Sequence, residues 1–127
     1  MNANGFYQLP ADFDVGANLF GRQGYAQPLI IQTGAGADGT VRALADPNLD
    51  THRYDTLWDF DLRVAKTFRI HTNGPIEPRF LLSADLFNVF NTNTVLSRVR
   101  RINTSAYQTI NEVLSPRILR VGITFQF

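Results

Sequence analysis

Four stretches of the chain alternate apolar and polar residues with a period of two, the mark of a strand with one wet face rather than of a helix. In residues 11–22, Phe13, Val15, Ala17 and Leu19 share one face. Asp14, Gly16, Asn18 and Arg22 share the other, with Phe20 out of pattern among them. Residues 57–70 gather Trp58, Phe60, Leu62, Val64, Phe68 and Ile70 on one side, broken only by Lys66. Asp59, Asp61, Arg63, Thr67 and Arg69 lie opposite. Residues 79–91 set Phe80, Leu82, Ala84 and Leu86 against Arg79, Ser83 and Asp85, with Leu81 and Phe87 on the polar side. Residues 116–127 set Leu119, Val121, Ile123, Phe125 and Phe127 against Arg120, Gly122, Thr124 and Gln126.

The connections differ sharply. Residues 23–56 and 92–115 are long and polar and read as loops with little regular structure. Leu29–Ile31 and the span around Val95–Ile102 are their only strand-like pieces. Residues 71–78 form a short turn on Asn73-Gly74-Pro75, closed by Pro78. Near the N-terminus, Asn4-Gly5 is a turn signal, and Tyr7–Leu9 either pairs upstream or begins the first strand. The pattern predicts an all-β antiparallel up-and-down meander. About 9–11 tilted residues cross a bilayer as a strand, whereas soluble strands run to about 5–6. Four long strands with alternating long and short connections fit the last four strands of a transmembrane β-barrel, with long extracellular loops and short periplasmic turns.

With the 71–78 turn placed in the periplasm, the first and third strands run outward. Phe13, Phe68, Phe80, Phe125 and Phe127 then fall at periplasmic ends and Trp58 at the opposite end, as interfacial aromatic girdles require. Phe13, Val15, Ala17, Leu19, Trp58, Phe60, Leu62, Val64, Phe68, Phe80, Leu82, Ala84 and Leu86 are expected to face lipid. Asp59, Asp61, Arg63, Ser83, Asp85, Arg120 and Thr124 are expected to face the lumen. Lys66, the misfit on the lipid side, lies close enough to the periplasmic end to snorkel.

Composition narrows the field. The 127 residues suit one domain at most. Lys occurs once and Glu twice, against ten Phe, eleven Thr and ten Asn, which argues against helical bundles and coiled coils. No cysteine is present, so disulfides and Cys-based metal or nucleophile chemistry are excluded. A net charge of +1 argues against nucleic-acid binding, with Arg98, Arg100 and Arg101 the only basic cluster. No apolar run approaches the roughly 18 residues of a membrane-spanning helix. Met1–Phe6 has neither the basic start nor the apolar stretch of a signal peptide.

Three strings carry a family resemblance: Phe60-Asp61-Leu62-Arg63-Val64-Ala65-Lys66-Thr67-Phe68-Arg69-Ile70, then Ala84-Asp85-Leu86-Phe87-Asn88-Val89-Phe90-Asn91, then Ser115-Pro116-Arg117-Ile118-Leu119-Arg120-Val121-Gly122. Together they resemble the C-terminal end of TonB-dependent outer-membrane receptors. The Oar-like branch, with its carboxypeptidase-regulatory-like N-terminal domain, looks closest. The aromatic-Asn-hydrophobic-aromatic-Asn string at 87–91 is the most specific element, and Arg22-Gln23-Gly24-Tyr25 resembles the start of a family loop. The terminal row Leu119, Val121, Ile123, Phe125 and Phe127 resembles the β-signal read by the barrel-assembly machinery. The resemblance implies a bacterial outer-membrane location and energy-coupled import of a bulky ligand through a barrel of about 22 strands closed by a plug. The implied partners are outer-membrane lipid, the assembly machinery, the remaining strands and plug of a parent chain, and TonB through N-terminal parts lacking here. Four strands cannot close a barrel, since about eight are the fewest known, so the chain is read as a C-terminal fragment.

Other motifs read more plainly. Gly34-Ala35-Gly36-Ala37-Asp38-Gly39 has dinucleotide-binding spacing, but Asp46-Pro47 breaks any helix that would hold the phosphates, leaving a flexible loop. Asp46, Asn48 and Asp50 begin like a calcium loop, yet Thr51 and Leu57 stand where Gly and Glu are needed. His52 and His71 fall at opposite rims and share no metal. Asp59, Asp61 and Asp85 could suggest glycosidase carboxylates, but beside Arg63, Arg69 and Arg120 they are expected to be charge-paired wall residues. Asn103-Thr104-Ser105 fits a glycosylation pattern without meaning in a bacterial outer membrane. Arg98, Arg100 and Arg101 are expected to form a solvated loop rather than to meet anionic lipopolysaccharide or ligand. No enzyme activity, cofactor or metal is expected. The role expected is structural: wall strands, two extracellular loops that supply any ligand contacts, and an assembly signal. The rival is a small soluble β-sheet domain that binds a ligand or partner, in which the charged rows would leave one sheet face wet.

Overall fold

A computed structural model describes residues 1–36, 39–71 and 77–127. Among them the secondary structure is all β, with no helix: β1 (Asn2–Leu9), β2 (Phe13–Arg22), β3 (Ile30–Gly36), β4 (Gly39–Leu44), β5 (Leu57–Arg69), β6 (Arg79–Phe87), β7 (Val95–Arg98), β8 (Ile110–Val113) and β9 (Ile118–Gln126). The chain divides into two compact units, a sheet unit and a loop unit.

The sheet unit comprises Met1–Gly21, Trp58–Thr92 and Ser115–Phe127. Its sheet has five strands in the order β1-β2-β5-β6-β9, open at both edges, and no described sheet closes into a barrel. The sequence predicts four strands, and β1 is the addition. Asn4 and Gly5 do not turn but lie within β1, opposite Asn18 and Ala17. The turn falls instead at Pro10–Asp12, where Ala11 and Asp12 take φ of 64° and 58°, so the predicted strand 11–22 begins at Phe13. The strand predicted over 79–91 stops at Phe87, because Asn88 and Asn91 take φ of 48° and 53°. The strand predicted over 116–127 begins at Ile118, and that over 57–70 ends at Arg69. The predicted turn 71–78 lies largely outside the described residues.

Register fixes two faces. Phe68, Lys66, Val64 and Leu62 pair with Phe80, Leu82, Ala84 and Leu86. Those in turn pair with Phe125, Ile123, Val121 and Leu119. Every second residue thus builds one apolar face across three strands. The intervening row of Arg63, Asp85 and Arg120 runs across the opposite face. Burial follows the unusual assignment. Leu82, Val121 and Ile123 are 40%, 62% and 74% exposed, whereas Asp85 is 6% exposed. Leu57 and Ala65 are the only buried hydrophobic residues among those described, and no side chain is fully buried. A soluble sheet of this size normally buries its apolar side against a second layer.

The loop unit comprises Arg22–Leu57 and Asn93–Leu114. The expectation of loops with little regular structure is corrected here, since each predicted loop carries an antiparallel hairpin, β3–β4 and β7–β8. Their short lengths and small residues, with Gly and Ala filling all four positions of 34–37, hide the alternation from a period count. Gly34 and Gly36 of the three-glycine motif lie in β3 and Gly39 begins β4, with 37–38 outside the described residues. A parallel bridge joins Ile30 to Arg101, and an antiparallel one joins Ala26 to Arg53.

Candidate functional site

The polar face of the sheet unit is organised around one carboxylate. Asp85 Oδ1 accepts from Arg63 Nη1 at 2.8 Å, and Asp85 Oδ2 accepts from Arg120 Nε at 3.0 Å. Period two puts all three on one face, and register brings them abreast on β5, β6 and β9. Each carboxylate oxygen thus has a guanidinium partner, and pairing of this kind is what allows a charge to be buried. The row continues through Gly16, whose open α-carbon lies near the Arg63 Cβ, to Phe6 opposite it on β1. A pocket of about 230 Å³ opens here against Phe6, Gly16, Asn18, Asp61, Arg63 and Phe87. Beside the charged row runs a small one, in which Ala65 pairs with Ser83 and Ser83 with Gly122. Ser83 Oγ donates to Gly122 O at 3.4 Å.

The expectation of charge-paired carboxylates holds for Asp85 and is corrected for two others. Asp59 and Asp61 make no ion pair among the described residues. Asp61 instead accepts from Asn88 N at 3.1 Å and from Asn18 Nδ2 at 3.5 Å. Arg69 turns away from them to Asp12, whose Oδ1 accepts from its Nη2 at 2.6 Å. Thr124 lies on the polar face, exposed, opposite Leu81.

The apolar face carries the predicted row Trp58, Phe60, Leu62, Val64 and Phe68 on β5, with Phe13, Val15, Ala17 and Leu19 on β2. Phe68 stacks on Phe80 with centroids 4.5 Å apart. Such a pair adds about 0.5–1.5 kcal/mol beyond its burial. Lys66 is accommodated by neighbours on its own face. Its Nζ lies 4.3 Å from the Phe13 ring centroid and 5.1 Å from that of Phe68. The attraction of an ammonium for aromatic faces offsets part of its desolvation. Trp58 sits against Gly21, where an added Cβ would come within 2.4 Å of the indole.

The most specific sequence string, 87–91, forms a clasp at the end of β6. Asn88 is buried, and its Nδ2 donates to Thr92 O at 2.9 Å and to Ser115 O at 2.7 Å. Its Oδ1 accepts from Thr92 N at 2.9 Å. Asn91 Oδ1 accepts from Arg117 N at 3.0 Å. Phe90 stacks over Phe60 at 5.5 Å. Asparagine suits both left-handed positions because its short amide tolerates that backbone and bonds locally.

In the loop unit, Arg98, Arg100 and Arg101 are not dispersed. With Arg42, Gln32 and Asn111 they line a pocket of about 290 Å³. Sequence reasoning missed Arg42, because only the β3–β4 pairing of Gln32 with Arg42 brings it to the cluster. Asp46, Asn48 and Asp50 form local turns: Asp46 Oδ1 accepts from Asn48 N, Asn48 Oδ1 accepts from Asp50 N, and Asp50 pairs with Arg53. No grouping of three or more metal-ligating side chains occurs among the described residues. Comparison with family models, with curated proteins and with solved structures found no match.

Proposed function

We propose that the chain is a wall segment from the C-terminal end of a TonB-dependent-type transporter of the bacterial outer membrane. One observation carries this reading: no residue in the apolar rows of β5, β6 and β9 is buried, those of β9 being exposed and those of β5 and β6 exposed or half-exposed, while the buried carboxylate lies on the opposite face. In water such an arrangement leaves a broad hydrophobic surface uncovered. Against lipid the same rows are satisfied, and the charged row meets a wet or protein-filled lumen. The open edges at β1 and β9 support it further, since both carry unpaired backbone groups that neighbouring wall strands would use. The Phe127-terminated row on β9 supplies the assembly signal, and the loop unit supplies the ligand contacts.

Carbonate extraction of membranes from cells expressing the chain tests the reading. Retention in the membrane pellet is expected. Release into the soluble fraction as monodisperse protein would overturn it in favour of a soluble ligand- or partner-binding sheet. The reading frame upstream should encode further alternating strands and a plug.

A further inference from the structure

We propose that the arginine-lined pocket of the loop unit is an oxyanion site that takes a phosphomonoester or pyrophosphate group. This goes beyond the wall reading and rests only on side chains within the loop unit. Arg42, Arg98, Arg100 and Arg101 line the pocket, and Ile30, Gln32, Val99 and Asn111 complete it without a single carboxylate. All five ion pairs of the described residues use other arginines, namely Arg53, Arg63, Arg69, Arg79 and Arg120. Four like charges about one cavity repel each other, and an anion is the natural counterweight.

The pocket is also built rather than incidental. Arg98 Nη1 donates to Gln108 O at 3.0 Å, and the Arg98 amide donates to the Tyr54 hydroxyl at 2.9 Å. Arg101 Nη1 donates to Gln32 Oε1 at 3.0 Å. Asn103 clasps Gln32 in turn, its Oδ1 accepting from Gln32 N at 3.2 Å. Ile30 N donates to Arg100 O at 3.0 Å, which ties the arginine segment to β3. Two guanidinium groups are therefore held in place, while those of Arg42 and Arg100 have no hydrogen-bond partner among the described residues. Guanidinium forks match the oxygens of phosphate or carboxylate. A phosphoryl group brings two or more charges and at least three acceptor oxygens to four such forks, where one carboxylate brings a single charge and two oxygens. The group can belong to a free solute or to the head of a phosphorylated lipid.

Isothermal titration of the full chain in zwitterionic detergent at low salt, with inorganic pyrophosphate as probe, tests the site. Sub-millimolar binding is expected, weakened at least tenfold by Arg42→Gln or by Arg100→Gln. Both side chains are exposed and unbonded, so the fold should persist; far-UV circular dichroism checks this. If either glutamine variant loses its β signal, Arg100→Lys takes its place, keeping charge without the fork and giving a partial loss. Arg117→Gln, an exposed arginine of the sheet unit, should leave binding within twofold. Absence of binding, indifference to Arg100→Gln, or an equal loss from Arg117→Gln overturns the proposal. Dodecyl phosphate doped into the micelles assigns the source: competition below the concentration of free pyrophosphate needed marks a lipid head, and weaker competition a soluble ligand. Binding by a chain that fails carbonate extraction would keep this site and remove the wall reading.

Discussion

Asp85 is held by Arg63 across the β5–β6 ladder, 2.8 Å from oxygen to nitrogen, with the carboxylate buried and the guanidinium half in solvent. The two ends of this pair therefore differ in what their loss does. Asp85→Ala removes both charge-assisted bonds at once and leaves the two guanidinium groups side by side in partial contact with water, and should lower stability by about 1–3 kcal/mol. Arg63→Gln leaves Arg120 on the carboxylate and should cost only about 1 kcal/mol. Urea titration in detergent micelles, followed by circular dichroism, measures both.

The two faces can be told apart optically. In a Trp58→Phe background reconstituted into brominated lipid, Ile123→Trp should fluoresce blue-shifted and strongly quenched. Thr124→Trp, one residue on and on the polar face, should be red-shifted and little quenched. Equal quenching at the two positions would count against any division into oily and wet sides.

Gly21 and Gly24 are both closed to larger residues, for different reasons. A Cβ at Gly21 would meet the Trp58 ring at 2.4 Å. The indole can tilt away, so Gly21→Ala should cost about 1–3 kcal/mol, shift the Trp58 emission, and be rescued by Trp58→Leu. A Cβ at Gly24 would meet the Tyr54 carbonyl oxygen at 1.8 Å, and backbone has no rotamer to yield. Gly24→Ala should break the Tyr54 N to Tyr25 O bond, read as faster amide exchange at Tyr54.

Asn88 separates backbone shape from side-chain bonding. Asn88→Ala loses the amide's bonds to Thr92 and Ser115 and strains the positive φ, so a loss of about 2–4 kcal/mol is expected. Asn88→Gly relieves the strain and should recover about 1 kcal/mol of it. Thermal melts of the two variants give the difference.

How far the sequence reveals this structure depends on what each residue answers to. The rows of β5, β6 and β9 were legible because alternation is a property of the strand alone. The meeting of Arg63, Asp85 and Arg120 was partly legible: their common face follows from the period, their adjacency only from register. Arg69 with Asp12 was not, because it depends on how the β1–β2 turn sits beside β5, as the Thr67 N to Asp12 O bond records. β1 is hidden in the sequence because Asn4-Gly5, a good turn dipeptide, is also tolerated in a strand whose neighbour supplies the pairing. The end of β6 is not legible, because Val89 and Phe90 prolong the apolar pattern past a left-handed Asn88 that no period count detects. Arg42 joined the basic pocket through hairpin pairing across about ten residues of small, weakly patterned sequence.

The pairing of β6 with β9 carries an evolutionary corollary. Because Asp85 and Ala84 are neighbours in sequence yet belong to opposite environments, a single inserted or deleted residue inside either strand would turn its whole remaining length over. Length changes there are survivable only by twos. Genes for chains built this way should accumulate codon gains and losses in the hairpin segments, while these strands drift by substitution alone.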